Sequence, residues 1–194
     1  MRITGGKAAR RLLKAPKGFD VRPTPDLVKQ AVFNSLGTRV MDARVLELFA
    51  GTGALSIECL SRGAASAVCV EKSQRHAGLL RHNFIAAGFA PEALRLRVQD
   101  VFTAIAQMHT AGERFDLILA DPPYGEKNIN RRSTSLAQQL LDNAELPQLF
   151  ESRGLFVLGH SKRDTLAIPS AWVEMKLLKH GDSIMRFLAP AARN

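Results

Sequence analysis

Short apolar runs alternate with stretches of helical spacing along most of this 194-residue chain. Leu27, Val28, Ala31, Val32 and Leu36 recur at the interval of one helix face, and Gly37 ends the run. Thr24-Pro25-Asp26 supplies its start, with threonine as cap, proline in the first turn and an acid near the positive helix end. Val45 to Phe49 is a short apolar strand candidate, broken by Gly51-Thr52-Gly53, and Ala54 to Arg62 reads as a helix stopped by Gly63. Ala67 to Val70 is the next strand, and Ser73 caps a helix running to about Ala87, where Gly88 stops it. Leu94 to Val98 and Phe115 to Ala120 are further strands, separated by a short helix near Phe102 to Met108. Ser135 to Asn143 is helical, and Gly154 to Gly159 is a strand. Trp172 to Leu178 and Ser183 to Leu188 close the chain as strands joined through His180-Gly181-Asp182.

Strands separated by helices predict an α/β fold, a doubly wound and mostly parallel sheet covered on both faces. The closing hairpin adds an antiparallel edge. No internal repeat interrupts the pattern, so residues 25–194 are expected to form a single globular domain. Residues 1–24 are expected to precede it as a basic arm, partly stranded as a β-hairpin, with Ile3, Leu12, Leu13, Phe19 and Val21 on one apolar side.

Composition changes this picture little. The chain is 46% hydrophobic and 23% charged, which excludes a largely disordered protein. No apolar run approaches the roughly 18 residues of a membrane span. The start, Met1 to Lys7, lacks the apolar stretch of a signal peptide, so a cytoplasmic location is expected. Cys59 and Cys69 each sit in an apolar run and read as small buried hydrophobes. His76, His82, His109, His160 and His180 fall in no metal-binding spacing, and no metal is expected.

Charge changes it more. The net charge is +9. The first 25 residues hold Arg2, Lys7, Arg10, Arg11, Lys14, Lys17 and Arg22 against a single acid, Asp20. Cations on a pliable arm suit phosphate contacts, which give affinity without sequence information. A second basic cluster, Lys127 to Arg132, follows the catalytic candidate described next.

Four segments carry chemistry. In Glu47-Leu48-Phe49-Ala50-Gly51-Thr52-Gly53, a glycine turn between strand and helix lets the backbone approach a ligand closely. Ser56 stands where a dinucleotide fingerprint has its third glycine, and Glu47 would repel a pyrophosphate but not a cationic sulfonium. Glu71, about 20 residues on, ends the next strand, where a carboxylate can accept both hydroxyls of a ribose, with Lys72 and Ser73 beside the base. Asp100, followed by Val101, is placed either for an adenine amino group or as a helix cap, and both roles can hold together. Asp121-Pro122-Pro123-Tyr124 follows an apolar strand. An exocyclic amino nitrogen on a base is a poor nucleophile, because its lone pair is delocalised into the ring. The Asp121 carboxylate and the Pro122 carbonyl can accept its N–H groups and favour the tetrahedral form, and Tyr124 can stack on an unstacked base. The prolines hold φ near −65° and fix these acceptors before reaction. The motif does not distinguish guanine N2 from adenine N6 or cytosine N4.

These segments resemble the ordered motifs of class I methyltransferases that act on amino nitrogens. With Met1 to Lys7, Val21-Arg22-Pro23-Thr24, Ala31 to Leu36, Phe49 to Leu55, Glu58, Leu60 to Ala64 and Asn83, the chain resembles the RsmD family over nearly its whole length. That resemblance implies a seven-stranded Rossmann-like class I sheet preceded by a β-hairpin. It implies S-adenosyl-L-methionine as cofactor, held by Glu47, Phe49, Ala50, Gly51, Gly53, Glu71, Lys72, Asp100, Val101 and Asp121. It implies catalysis by Asp121, Pro122 and Tyr124, and RNA binding by Arg2, Lys7, Arg10, Arg11, Lys14, Lys17 and Arg22. The expected substrate is a guanine N2 of 16S rRNA within the small ribosomal subunit, modified by a monomer. The rival readings are a DNA adenine-N6 methyltransferase, a non-catalytic RNA-binding ribosome assembly factor and a nucleotide-linked oxidoreductase.

Overall fold

The structure, a computed structural model, describes residues 1–15, 25–124 and 132–192. Lys17, Phe19, Val21, Arg22, Thr24 and the basic cluster as far as residue 131 lie outside the described residues. Five strands form the parallel part of the sheet: β1 (Arg44–Leu48), β2 (Ser66–Val70), β3 (Leu94–Arg97), β4 (Phe115–Ala120) and β5 (Phe150–Ser161). β6 (Trp172–His180) and β7 (Ser183–Pro190) are the closing hairpin. Their order across one seven-stranded sheet is β3-β2-β1-β4-β5-β7-β6, with β7 antiparallel to both β5 and β6. The chain runs outward from β1 to β3, then returns to place β4 on the other side of β1. That reversal opens a crevice beyond the carboxyl ends of β1 and β4, where doubly wound sheets bind ligands.

Helices cover both faces, as the pattern predicted. Val45, Ala67, Leu117, Leu119 and Val157 pack with α1 (Asp26–Leu36), α2 (Ala54–Ser61) and α3 (Gln74–Ala86). The intervening residues Leu46, Leu48, Val68, Val70, Ile118 and Ala120 pack with α4 (Val101–Thr110) and α5 (Leu136–Asp142). A strand buried on both faces needs an unbroken apolar run, which is why these strands show no polar alternation. Two boundaries differ from expectation. Pro25 is the N-cap of α1 rather than a first-turn residue. β5 begins at Phe150, not Gly154, because the exposed polar run Glu151–Arg153 still follows the strand path, through a register shift against β4.

The expectation of a pliable arm does not hold for residues 1–14. They form a tight antiparallel turn with a bridge between Arg2 and Leu12, and the turn is docked on the domain. Ile3, Ala8 and Leu13 join the core of the α2 face, while Leu12 is 77% exposed, because neighbours in an extended chain point to opposite sides. The polar groups explain the docking. The fully buried Glu58 accepts the Thr4 N–H at 2.8 Å, the Thr4 hydroxyl at 2.7 Å and Arg62 Nε at 2.9 Å. The Lys7 N–H donates to the Ser61 carbonyl at 2.7 Å. Gly6 makes that approach possible: its φ is +77°, and a Cβ there would lie 1.8 Å from the Ser61 oxygen. The equally buried Lys29 donates to the Arg2 carbonyl and pairs with Asp26 Oδ1 at 3.1 Å. No helix among the described residues is long and apolar enough to cross a membrane.

Candidate active site

Beyond the carboxyl ends of β1, β2, β3 and β4 lies a cleft of about 730 Å³. Each strand end contributes a wall: Phe49 and Gly51, then Glu71 to Ser73, then Asp100 to Phe102, then Asp121 to Tyr124. The structure thus brings Phe49, Gly51, Glu71, Lys72, Asp100, Val101, Asp121, Pro122 and Tyr124 into one space. Its lining also includes His76, Phe102 and Leu136, which sequence reasoning missed. His76 was detectable as the first-turn partner of the Ser73 cap. Leu136 carries no signal of its own, since only the fold returns α5 to the cleft.

The loop after β1 is held from the neighbouring strand. The Gly51 N–H donates to Glu71 Oε2 at 2.8 Å, and the Ser73 N–H donates to Oε1 at 2.7 Å. Each carboxylate oxygen keeps a further acceptor position. Gly51 has φ +53°, and a Cβ there would meet nothing closer than 3.9 Å, so its bare backbone widens the cleft. Asp100 fulfils the capping role: Oδ1 accepts the Phe102 N–H at 3.0 Å at the start of α4. Its Oδ2 lies 3.8 Å from Lys72 Nζ on the cleft side.

Glu47, Ala50 and Gly53 do not line the cleft. Glu47 faces α2 instead, where its carboxylate accepts the Ser56 N–H at 2.9 Å and the Leu55 N–H at 3.4 Å. An acid within a strand can thus cap the following helix from below. Gly53 is the left-handed N-cap of α2, and its missing side chain admits Leu80. Ala50 is buried and bonds to the Val70 carbonyl.

Burial pushes the Glu47 carboxyl up to about 7; the N–H bonds of Ser56 and Leu55 oppose this, and the nearby charge of Asp121 adds to it. An unfolded glutamate ionises near 4.5, so between these values only the folded state holds the proton. Stability from this group is therefore full below about pH 4.5 and is lost as pH rises through about 7. Glu47→Gln keeps an acceptor for both N–H groups and removes the titration. Its urea midpoint should fall less than the wild type's between these pH values, and parallel curves would refute the assignment.

At the end of β4, Pro122 is buried, and Tyr124 is 47% exposed with its hydroxyl 2.8 Å from Ser183 Oγ on β7. Ser183 is a further residue the sequence did not reveal. Asp121 lies against Gly159 of β5: a Cβ on that glycine would sit 2.4 Å from Asp121 Oδ1. Both cysteines are fully buried, and burial pushes their thiols well above the ordinary range, which removes them as nucleophiles. Among the described residues no group of three His, Cys, Asp or Glu could hold a metal ion.

Of the expected RNA-binding residues, Arg2 pairs with Asp26 at 3.2 Å, Arg11 donates to the Ala87 carbonyl, and Lys7 Nζ lies 5.1 Å above the Phe89 ring. Arg10 is exposed with φ +70°, and the Lys14 backbone pairs with Asn83.

Known proteins share this architecture. The family model described as conserved hypothetical protein 95 matches residues 1–189. YlbH of Bacillus subtilis (strain 168) is 33% identical over 165 residues, which cover 84% of this chain and 83% of YlbH. Ribosomal RNA small subunit methyltransferase D of Escherichia coli (strain K12) is 35% identical over 126 residues, 64% of this chain and 60% of that protein. The solved structure of yhhF from Escherichia coli superposes with a TM-score of 0.79 at 26% identity, covering 100% of this chain and 99% of that one.

Proposed function

We propose that this chain, which belongs to the RsmD family of methyltransferases, methylates the exocyclic N2 of a guanine in 16S rRNA of the small ribosomal subunit. One observation carries the reading: Asp121-Pro122-Pro123-Tyr124 shares a single cleft with the carboxylates of Glu71 and Asp100. The cleft fits S-adenosylmethionine. Its volume suits a nucleoside-sized ligand. Glu71, oriented by two backbone N–H groups, would hold the ribose diol; Asp100 Oδ2 and the Val101 N–H would hold the adenine edge. When bound, this cofactor supplies an electrophilic methyl on a positively charged sulfur.

The residues do the rest. Asp121 and the Pro122 carbonyl accept the N–H groups of the amino nitrogen and turn its lone pair out of conjugation. Their positions are fixed by the prolines and by the packing on β5, so little reorganisation accompanies reaction. Tyr124, tethered to Ser183, presents a ring at the cleft mouth on which an unstacked guanine can lie. The nitrogen loses one proton overall. Asp121 holds that N–H but need not be a strong base, because the methylated nitrogen is acidic before it loses the proton.

Transfer of tritiated methyl to small subunits, naked 16S rRNA and DNA tests the reading. Label is expected in the small-subunit RNA, at a guanine N2. Label mainly in DNA, or in no nucleic acid, would overturn it. Glu71→Ala should raise the cofactor KM by about tenfold or more, the scale of one hydrogen bond to a charged group, with a smaller change in kcat.

A further inference from the structure

We infer that α3 and the docked N-terminal segment form one track for the RNA phosphate backbone, ending at the cleft, with Arg81 as a member. The inference rests on RNA being the substrate class proposed above. Residues 1–15 carry Arg2, Lys7, Arg10, Arg11 and Lys14 and no acid. Residues 72–91 carry Lys72, Arg75 and Arg81 and likewise no acid. The fold lays these two stretches side by side. The Lys14 N–H donates to Asn83 Oδ1 at 2.8 Å, and Asn83 Nδ2 donates back to the Lys14 carbonyl at 3.0 Å. Arg11 reaches the Ala87 carbonyl beyond the last turn of α3, and Lys7 covers Phe89.

The track has a direction. His76, in the first turn of α3, lines the cleft. From there the 13-residue helix runs about 20 Å to Arg11 and Lys7. Within the two stretches Arg2 pairs with Asp26 and Lys72 lies near Asp100, and elsewhere Arg95 and Arg97 are neutralised by Glu113, Arg132 by Asp142 and Arg186 by Glu174. Arg81, by contrast, makes no ion pair or hydrogen bond among the described residues and is exposed. Gly78, one turn before it on the same face, is also exposed, and a Cβ there would meet nothing within 4 Å. A glycine in the middle of a helix weakens it and here serves no packing inside the protein. It leaves bare backbone beside Arg81, where a sugar–phosphate chain can approach closely. A row of cations leading to a base-sized cleft is complementary to a polyanion whose one base must enter that cleft.

The test is filter binding of naked 16S rRNA to the full-length protein across a range of salt. Arg81→Glu should weaken binding by about tenfold or more near physiological salt, and Arg81→Ala should lower the log–log salt slope by about one. Binding of S-adenosylmethionine, followed by calorimetry, should be unchanged in both, which also reports that they fold. Arg153→Glu, near the amino end of β5 and so at the opposite end of the strands from the cleft, makes the same charge change and should leave RNA affinity within about twofold. Unchanged RNA affinity in Arg81→Glu, or equal losses in Arg81→Glu and Arg153→Glu, would overturn the track. Methyl transfer to small subunits by the wild type, measured in parallel, separates this failure from a failure of the proposed function. Wild-type transfer with unchanged Arg81→Glu binding sinks the track alone.

Discussion

Asp121→Ala should lower kcat by about 100-fold or more, a far larger effect than on the cofactor dissociation constant. A factor of 100 corresponds to about 2.7 kcal/mol of transition-state stabilisation, the scale of removing one oriented acceptor from a preorganised site. The carboxylate is expected to matter most as the amino nitrogen becomes tetrahedral, so the effect should fall on the chemical step rather than on binding. Single-turnover methyl transfer with saturating cofactor and RNA reads that step directly. Asp121→Asn retains one acceptor oxygen and should fall between alanine and the wild type. An alanine variant within about threefold of the wild-type rate would remove Asp121 from catalysis, whereas absence of methyl transfer by the wild type would favour a non-catalytic assembly factor.

The element order was readable because the physics that sets it is local. Runs such as Phe115 to Ala120 are too apolar and too short to be anything but buried strands, and Gly63 and Gly88 end helices wherever the chain turns back. Asp100 and Ser73 declared themselves as caps from their position before a helix and were found capping. The order of strands across the sheet was not readable from spacing; resemblance supplied a seven-stranded class I sheet, and the order itself comes from the structure. Glu47 shows where local reasoning failed. A carboxylate in a strand next to a glycine loop suits a ligand or a helix end equally well, and the turn of the strand about its axis decides between them. The N-terminal segment failed for a different reason. Its cations dominate the sequence, but its docking rests on Glu58, Ser61 and Lys29, residues whose partners lie up to 56 positions away. Gly159, Leu136 and Ser183 contribute to the site only by being opposite something, and pattern along the chain cannot show that.

Gly159 carries the second large effect. It is paired across β5 with Met185 on β7, and it faces Asp121 at the end of the neighbouring strand. A methyl group there would lie 2.4 Å from Asp121 Oδ1 and 3.0 Å from its Cγ, closer than such atoms can approach, so something must move. Met185 Sδ, at 3.2 Å from the same point, leaves the methyl little room to escape. Glu47, whose raised pKa registers the charge of Asp121, also lies near that carboxylate. Gly159→Ala should therefore displace Asp121 rather than the strand. A displacement of about 1 Å in a group that must meet the amino nitrogen lowers kcat by up to about 100-fold. The cofactor KM should change by less than about twofold, because Glu71 and Asp100 are untouched. Paired measurement of kcat and melting temperature decides between positioning and packing. A variant that melts several degrees lower yet turns over at the wild-type rate would mean that β5 and β7 yield to the methyl and Asp121 keeps its place. A near-wild-type melting temperature with a collapsed kcat would mean that the absence of a side chain at position 159 holds the catalytic carboxylate where it is.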